Sequence, residues 1–128
     1  MIANERIPLL SARGLTLGFG RAGRDPAVAV RDLDIDLIAG ETLALVGESG
    51  SGKSLSALAL MRLLPPACRI IGGEVHLGAE NLLARPEAKM RDVRGGRVAM
   101  IFQEPGTSLN PVATVGQQIE NLRLHGDV

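Results

Sequence analysis

The residues with the most specific chemical pattern are GESGSGKS at positions 47–54. They match G-x-x-x-x-G-K-[ST], a spacing in which a glycine-rich turn presents its backbone N–H groups to phosphate oxygens. Gly47, Gly50 and Gly52 let the chain curl into one concavity that a Cβ would obstruct. A helix that begins near Lys53 adds the positive end of its dipole. The Lys53 ammonium is a point charge able to reach β- and γ-phosphates. The Ser54 hydroxyl is a hard oxygen ligand suited to Mg²⁺. A chain of this composition would carry about 0.002 such matches by chance. The segment is therefore read as a nucleotide phosphate loop. Its binding residues are Gly47, Glu48, Ser49, Gly50, Ser51, Gly52, Lys53 and Ser54, with Leu55 on the first helical turn. Glu48 is read as a solvated loop residue rather than an acid catalyst.

The second candidate is Gln103, in AMIFQEPGTSLNP at 99–111. It ends an apolar run, and in open α/β sheets the carboxyl ends of strands form the edge where ligands sit. A neutral amide there can hold Mg²⁺ or a water through its carbonyl oxygen. A glutamine ending a strand is, by itself, only a polar residue meeting solvent.

Elements must hold these groups in place. Leu15, Leu17 and Phe19 alternate with Thr16 and Gly18, which predicts a half-buried strand. GRAGRDP at 20–26 predicts a turn. Leu33, Ile35 and Leu37 alternate with Asp32, Asp34 and Asp36, the pattern of an antiparallel strand with one wet face. The acidic row is read as that solvated face. Thr42–Val46 and Val98–Phe102 are apolar without alternation, which predicts strands covered on both faces in a parallel core. Lys53–Leu64 predicts a helix closed by Pro65-Pro66. Gly73–Leu77 predicts another strand, Arg85–Arg94 a short helix, and Val115, Ile119 and Leu122 a helix opening near Asn110-Pro111. The chain ends soon after that helix, and Val128 reads as a cut rather than a natural terminus.

Composition narrows the classes. Fourteen basic residues balance fourteen acidic ones in 128, which argues against a nucleic-acid binder. A local excess lies between Arg62 and Arg97, with seven basic residues against four acidic. Phe19 and Phe102 are the only aromatic residues, so the core must be aliphatic. The lone Cys68 allows no internal disulfide. The apolar stretch from Leu55 to Leu64 is too short to span a bilayer, and MIANERIPLLSARG has no apolar run of the signal-peptide kind. The expectation is a soluble chain whose membrane contact goes through partners.

Taken together, LALVGESGSGKS at 43–54, AMIFQEPGTSLNP at 99–111 and VATVGQQI at 112–119 resemble the ATP-binding subunits of ABC transporters. IGGEVHLGAENLL at 71–83 fits more loosely. The resemblance is strongest to the oligopeptide, dipeptide and nickel import group. It implies an α/β P-loop NTPase fold, the ABC-type nucleotide-binding domain. Residues 1–128 would form its N-terminal half, an antiparallel β layer plus part of the parallel core. It implies ATP and Mg²⁺ as ligands, with Lys53 and Gln103 in catalysis and Ser54 and Gln103 at the metal. Gln103 would lie in the Q-loop region 99–111, and residues from Glu104 to about Val115 would face the membrane subunits. Phe19 falls where the family places an aromatic ring against adenine. The implied function is ATP hydrolysis coupled to import of small peptides or nickel complexes. The implied partners are transmembrane permease subunits, a second ATP-binding subunit and, indirectly, a periplasmic or extracellular solute-binding protein, at the cytoplasmic face of the inner membrane.

Some of the family pattern is absent. There is no Leu-Ser-Gly-Gly-Gln signature, and no apolar run ends in Asp-Glu as in a Walker B segment. His76 and His125 come too early for the family's switch histidine. These elements follow later in the family order, so the chain is expected to be an N-terminal portion, incapable of hydrolysis alone. Two rivals remain open at this point: a non-transport ABC ATPase, and a stand-alone nucleotide-binding or regulatory module.

Overall fold

A computed structural model describes residues 6–21, 23–103 and 109–125. The chain divides into two compact units, Met1–Arg85 and Pro86–Val128. The first unit carries a four-stranded antiparallel sheet of β1 (Leu10–Phe19), β2 (Ala27–Leu37), β3 (Cys68–Leu77) and β4 (Glu80–Asn81). The order across the sheet is β2-β1-β3-β4. The helix α1 (Lys53–Leu60) follows β2 in sequence and lies against β1.

β1 is central, and its sequence shows why it bends. Leu10 and Ala12 are buried, then Leu15 and Leu17, so the buried phase slips by one residue between Ala12 and Leu15. A slip of one position in a strand of period two requires a bulge to keep both halves facing the core. The register breaks there against both neighbours. Side chains staple the irregular segment. The Gly14 N–H donates to Asp34 Oδ1 at 2.7 Å, and the Asp32 N–H donates to Thr16 Oγ1 at 3.1 Å. Arg13 donates to the Ala12 and Ile35 carbonyls at 2.9 and 3.1 Å and pairs with Asp36 at 2.5 Å. The acidic row of β2 is exposed, as expected, yet Asp34 and Asp36 are bonded to β1 rather than merely solvated.

The core of this unit is aliphatic. Leu15, Leu17, Val75 and Leu82 are fully buried, joined by Ile35, Ala59 and Met61. Cys68 opens β3 as a buried residue opposite Phe19. Burial pushes its thiol pKa above the ordinary range, partly offset by the backbone hydrogen bond at Arg69.

The helix is shorter than the predicted 53–64. It stops at Leu60, where the Arg62 N–H bonds Ala59 O at 3.0 Å and the Leu63 N–H bonds Leu58 O at 2.9 Å. This pairing is a left-handed helix stop of the Schellman type, and Arg62 occupies the position usually given to glycine, with φ of 55°. Its guanidinium donates to the carbonyls of Leu82, at 3.2 Å, and Arg85, at 2.5 Å. The apolar signal continued to Leu64, but the chain needed a turn there to return to β3.

The second unit holds a 3₁₀ turn, Glu87–Lys89, running into α2 (Met90–Val93), and then α3 (Val115–His125). Met90 and Val93 are fully buried, and Arg94 pairs with Glu87 at 2.7 Å. The predicted helix at 85–94 is therefore present in two short pieces.

The predicted strands at Thr42–Val46 and Val98–Phe102 do not form. Residues 42–46 have no regular structure, and of 98–102 only Val98 makes a bridge, to Arg94. No parallel sheet exists among the described residues. The physical reason is that a strand is completed by a neighbour's hydrogen bonds, whereas an apolar run reports only a demand for burial. That demand is unmet here: Val46 and Ile101 are each 93% exposed.

Gly73 supplies a stringent test of the bulged sheet. Its φ is +92°, and a Cβ would lie 2.5 Å from Gly14 O and 2.6 Å from Arg13 O. Backbone atoms of a stapled strand cannot move aside cheaply. Gly73→Ala is expected to destabilise the protein by at least about 2 kcal/mol, read as a lowered urea midpoint with an unchanged slope.

Candidate functional site

The phosphate loop follows the irregular segment after β2 and ends at α1. Glu48 to Ser51 form a turn closed by the Ser51 N–H to Glu48 O at 3.1 Å, with Gly50 at φ +82°. Gly52 caps α1 in the left-handed region, at φ 94°. No side chain caps this end, and the first helical bond runs from the Ser56 N–H to Gly52 O at 2.9 Å. The N–H groups of Lys53, Ser54 and Leu55 are thus the unsatisfied donors that every helix start exposes. With the dipole behind them they form an anion-accepting end.

The Lys53 ammonium is folded over the loop. It donates to the carbonyls of Gly47 and Glu48, the second at 2.9 Å, and stands 3.5 Å from Ser51 Oγ. The positive charge is therefore held at the mouth of the curl, where phosphate oxygens would arrive. Ser54 is exposed and its hydroxyl makes no hydrogen bond among the described residues, so the oxygen is open to a hard cation. By contrast, Ser56 is buried, and its hydroxyl donates to Gly52 O at 2.7 Å. The two serines look alike in sequence but differ in role: one braces the loop and the other faces outward.

What seats the loop was not visible in the motif. A Cβ on Gly52 would lie 2.6 Å from Val30 Cγ2 and 3.5 Å from Ala29 O. The loop therefore rests on β2. Val30 is paired with Leu17 of β1, and Phe19 lies two residues further along that strand. At strand spacing this is about 7 Å. The register thus brings the aromatic candidate and the phosphate loop to the same end of one sheet. Phe19 is 38% exposed, unlike the fully buried Leu15 and Leu17, so its ring retains an open surface. A small cavity of about 160 Å³ lies between loop and sheet, lined by Leu33, Leu45, Val46, Ser51, Gly52, Lys53 and Ser56.

Gln103 is exposed and lies in the second unit, in a bend rather than at the end of a strand. Lys53 and Ser54 belong to the first unit. Most of the segment after it, 104–108, lies outside the described residues. Asn110 and Gln118 form a local brace before α3: the Asn110 N–H donates to Gln118 Oε1 at 3.0 Å, and Gln118 Nε2 donates to Asn110 O at 3.1 Å. Among the described residues no group of three or more His, Cys, Asp or Glu could hold a metal, and no helix is long and apolar enough to cross a membrane.

A glycine-rich turn that runs into an uncapped helix start, with a lysine folded over it, is the local geometry of a P-loop. Residues 30–126 match the family model described as ABC transporter, and the chain belongs to that family. It is 52% identical over 124 residues to the glutathione import ATP-binding protein GsiA of Salmonella typhimurium, covering 91% of this chain and 20% of that protein. It is 48% identical over 120 residues to the peptidoglycan transport ATP-binding protein YejF of Agrobacterium fabrum, covering 92% and 22%. It is 48% identical over 128 residues to a putative peptide import ATP-binding protein of Brucella ovis, covering 94% and 38%. The chain therefore spans about a fifth of the length of the first two relatives.

The seating of the loop can be tested by a pair of variants. Gly52→Ala adds a methyl against Val30 and forces a left-handed φ on alanine, so nucleotide affinity is expected to fall at least about tenfold. Adding Val30→Ala removes the steric part and should restore affinity in part. A fluorescent nucleotide titration of the complete protein measures both.

Proposed function

We propose that the protein carrying this chain is an ATP-binding subunit of an ABC importer, coupling ATP hydrolysis to uptake of small peptides or nickel complexes. The observation that carries this reading is the joint placement of an uncapped, lysine-covered phosphate loop and an exposed aromatic ring at one end of the same sheet. The family match and the relatives, whose names speak of glutathione and peptide import, support the same reading. On this proposal the permease partners are transmembrane subunits, a second ATP-binding subunit completes the assembly, and a solute-binding protein acts indirectly. The subunit would work peripherally, at the cytoplasmic face of the membrane.

The geometry of the loop supports the chemistry we assign to its residues. The N–H groups from Lys53 to Leu55, with the loop amides, hold the phosphate oxygens. Lys53 gives up its bonds to the Gly47 and Glu48 carbonyls in favour of the more highly charged phosphate, and there it stabilises negative charge as it develops. Ser54, whose hydroxyl makes no hydrogen bond among the described residues, would hold a magnesium ion, which would supply neutralisation of the phosphate charge. Phe19 offers a stacking face for adenine, a contact of about 1–3 kcal/mol. Gln103 is assigned the sensing of metal and γ-phosphate on the strength of the family resemblance of its segment at 99–111.

Two substitutions separate these roles. Lys53→Ala in the complete protein is expected to lower ATP turnover at least about a hundredfold, measured by phosphate release. Unchanged turnover would remove Lys53 from the site. Phe19→Ala is expected to weaken ATP binding about tenfold while Phe19→Tyr binds like the parent, because a ring is required and its hydroxyl is not. Equal binding of a fluorescent ATP analogue by parent and alanine variant would return Phe19 to a packing role.

A further inference from the structure

A second cavity, of about 590 Å³, opens beyond the end of β1 and is lined by Gly20, Arg21, Pro66, Ala67 and Arg69. Its size lies within the range of small-molecule sites. Neither arginine is part of the phosphate loop, and both belong to the first unit. Arg69 stands on β3 opposite Gly18, whereas Phe19 pairs with Cys68. Directly opposed residues share a sheet face and neighbours alternate, so Arg69 projects from the face opposite to Phe19.

The charge in this cavity is unanswered. Arg69 Nε is buried with no hydrogen-bond partner, and among the described residues its guanidinium makes one long bond, from Nη2 to Arg21 O at 3.4 Å. Arg21 is exposed and makes no side-chain ion pair among the described residues. No carboxylate among the described residues lines the cavity. A buried guanidinium N–H left unmatched is costly unless an acceptor arrives. The Nη groups of the two guanidiniums, rather than the enclosed Nε of Arg69, are the donors that a phosphate or carboxylate in the cavity would meet. Pro66 and Ala67 add an apolar wall beside them.

We propose that this cavity binds a small organic anion, one carrying a phosphate or carboxylate group on a compact apolar body, at a site separate from the phosphate loop. The guanidiniums of Arg69 and Arg21 clamp the oxyanion, and Pro66 and Ala67 take the body. None of the lining residues belongs to the loop at 47–54, but Gly20 and Arg21 follow Phe19 directly, so competition with ATP is the measurement that separates this cavity from the nucleotide site.

The test uses the complete protein bearing Lys53→Ala, which weakens anion capture by the phosphate loop. Phenyl phosphate and phthalate are titrated calorimetrically, with benzyl alcohol as the uncharged control. At least one anion is expected to bind and the control is not, and the stronger of the two tells whether phosphate or carboxylate is preferred. Adding Arg69→Gln should weaken binding tenfold or more, and Arg69→Lys and Arg21→Gln at least threefold each. The lysine variant keeps the charge and the stem, so it carries the test if the glutamine variant fails to fold. Absence of binding by both anions, equal binding of benzyl alcohol, or unchanged affinity in Arg69→Lys and Arg21→Gln would overturn the proposal. Displacement of the bound anion by ATP would also overturn it, by making the cavity part of the nucleotide site.

Discussion

The close approach of Gly52 to Val30 is the constraint on which the site depends. A phosphate loop is a curl of backbone with few side chains of its own to anchor it. Here the helix start is pressed against β2 at a point where only glycine fits, 2.6 Å from a Cβ position to Val30 Cγ2. Ser56 then fastens the loop from behind through the Gly52 carbonyl. The antiparallel layer thereby becomes the platform that fixes the phosphate-binding end, and the register of β1 against β2 fixes what else stands beside it.

That register is set by irregularity. Bulges in β1 and β2 shift the pairing three times between Ala12 and Gly18. Without them the alternation of buried residues would fail on one side of Gly14, and Leu15 and Leu17 would turn outward. The staples made by Arg13, Asp34 and Thr16 hold the bulge open, and Gly73 provides the space for it on the next strand. The acidic residues of β2 thus have an indirect bearing on the site: they keep β1 in the register that places Phe19 near the loop.

Much of this was legible in the sequence where a local rule is sufficient. The turn at 48–51 and the helix start at Lys53 follow from residue types alone, because the glycines take the left-handed conformations the motif requires. The strands at Leu15–Phe19 and Arg31–Leu37 follow from alternation, and a short strand was expected at Gly73–Leu77, though each extends further than its pattern. Other features needed partners that a sequence does not name. The apolar runs 42–46 and 98–102 state a need for cover, and the described residues provide no adjacent strand to pair with them. The stop at Arg62 hid in an apolar stretch because its left-handed turn depends on carbonyls of Leu82 and Arg85, twenty or more residues away. The nearness of Phe19 to the loop rests on bulges, and Gln103 lies in the other unit, so neither relation could be read from spacing.

The central claim is that residues 47–55, seated on β2, receive the phosphates of a nucleotide whose base lies toward Phe19. Amide hydrogen exchange of the complete protein, followed by mass spectrometry with and without Mg-ATP, tests it most directly. Slowed exchange at residues 47–55 is the expected result, because bound phosphates would occupy the N–H groups of Lys53, Ser54 and Leu55, which lack intrahelical partners. ATP binding that leaves exchange at 47–55 unchanged would contradict the placement.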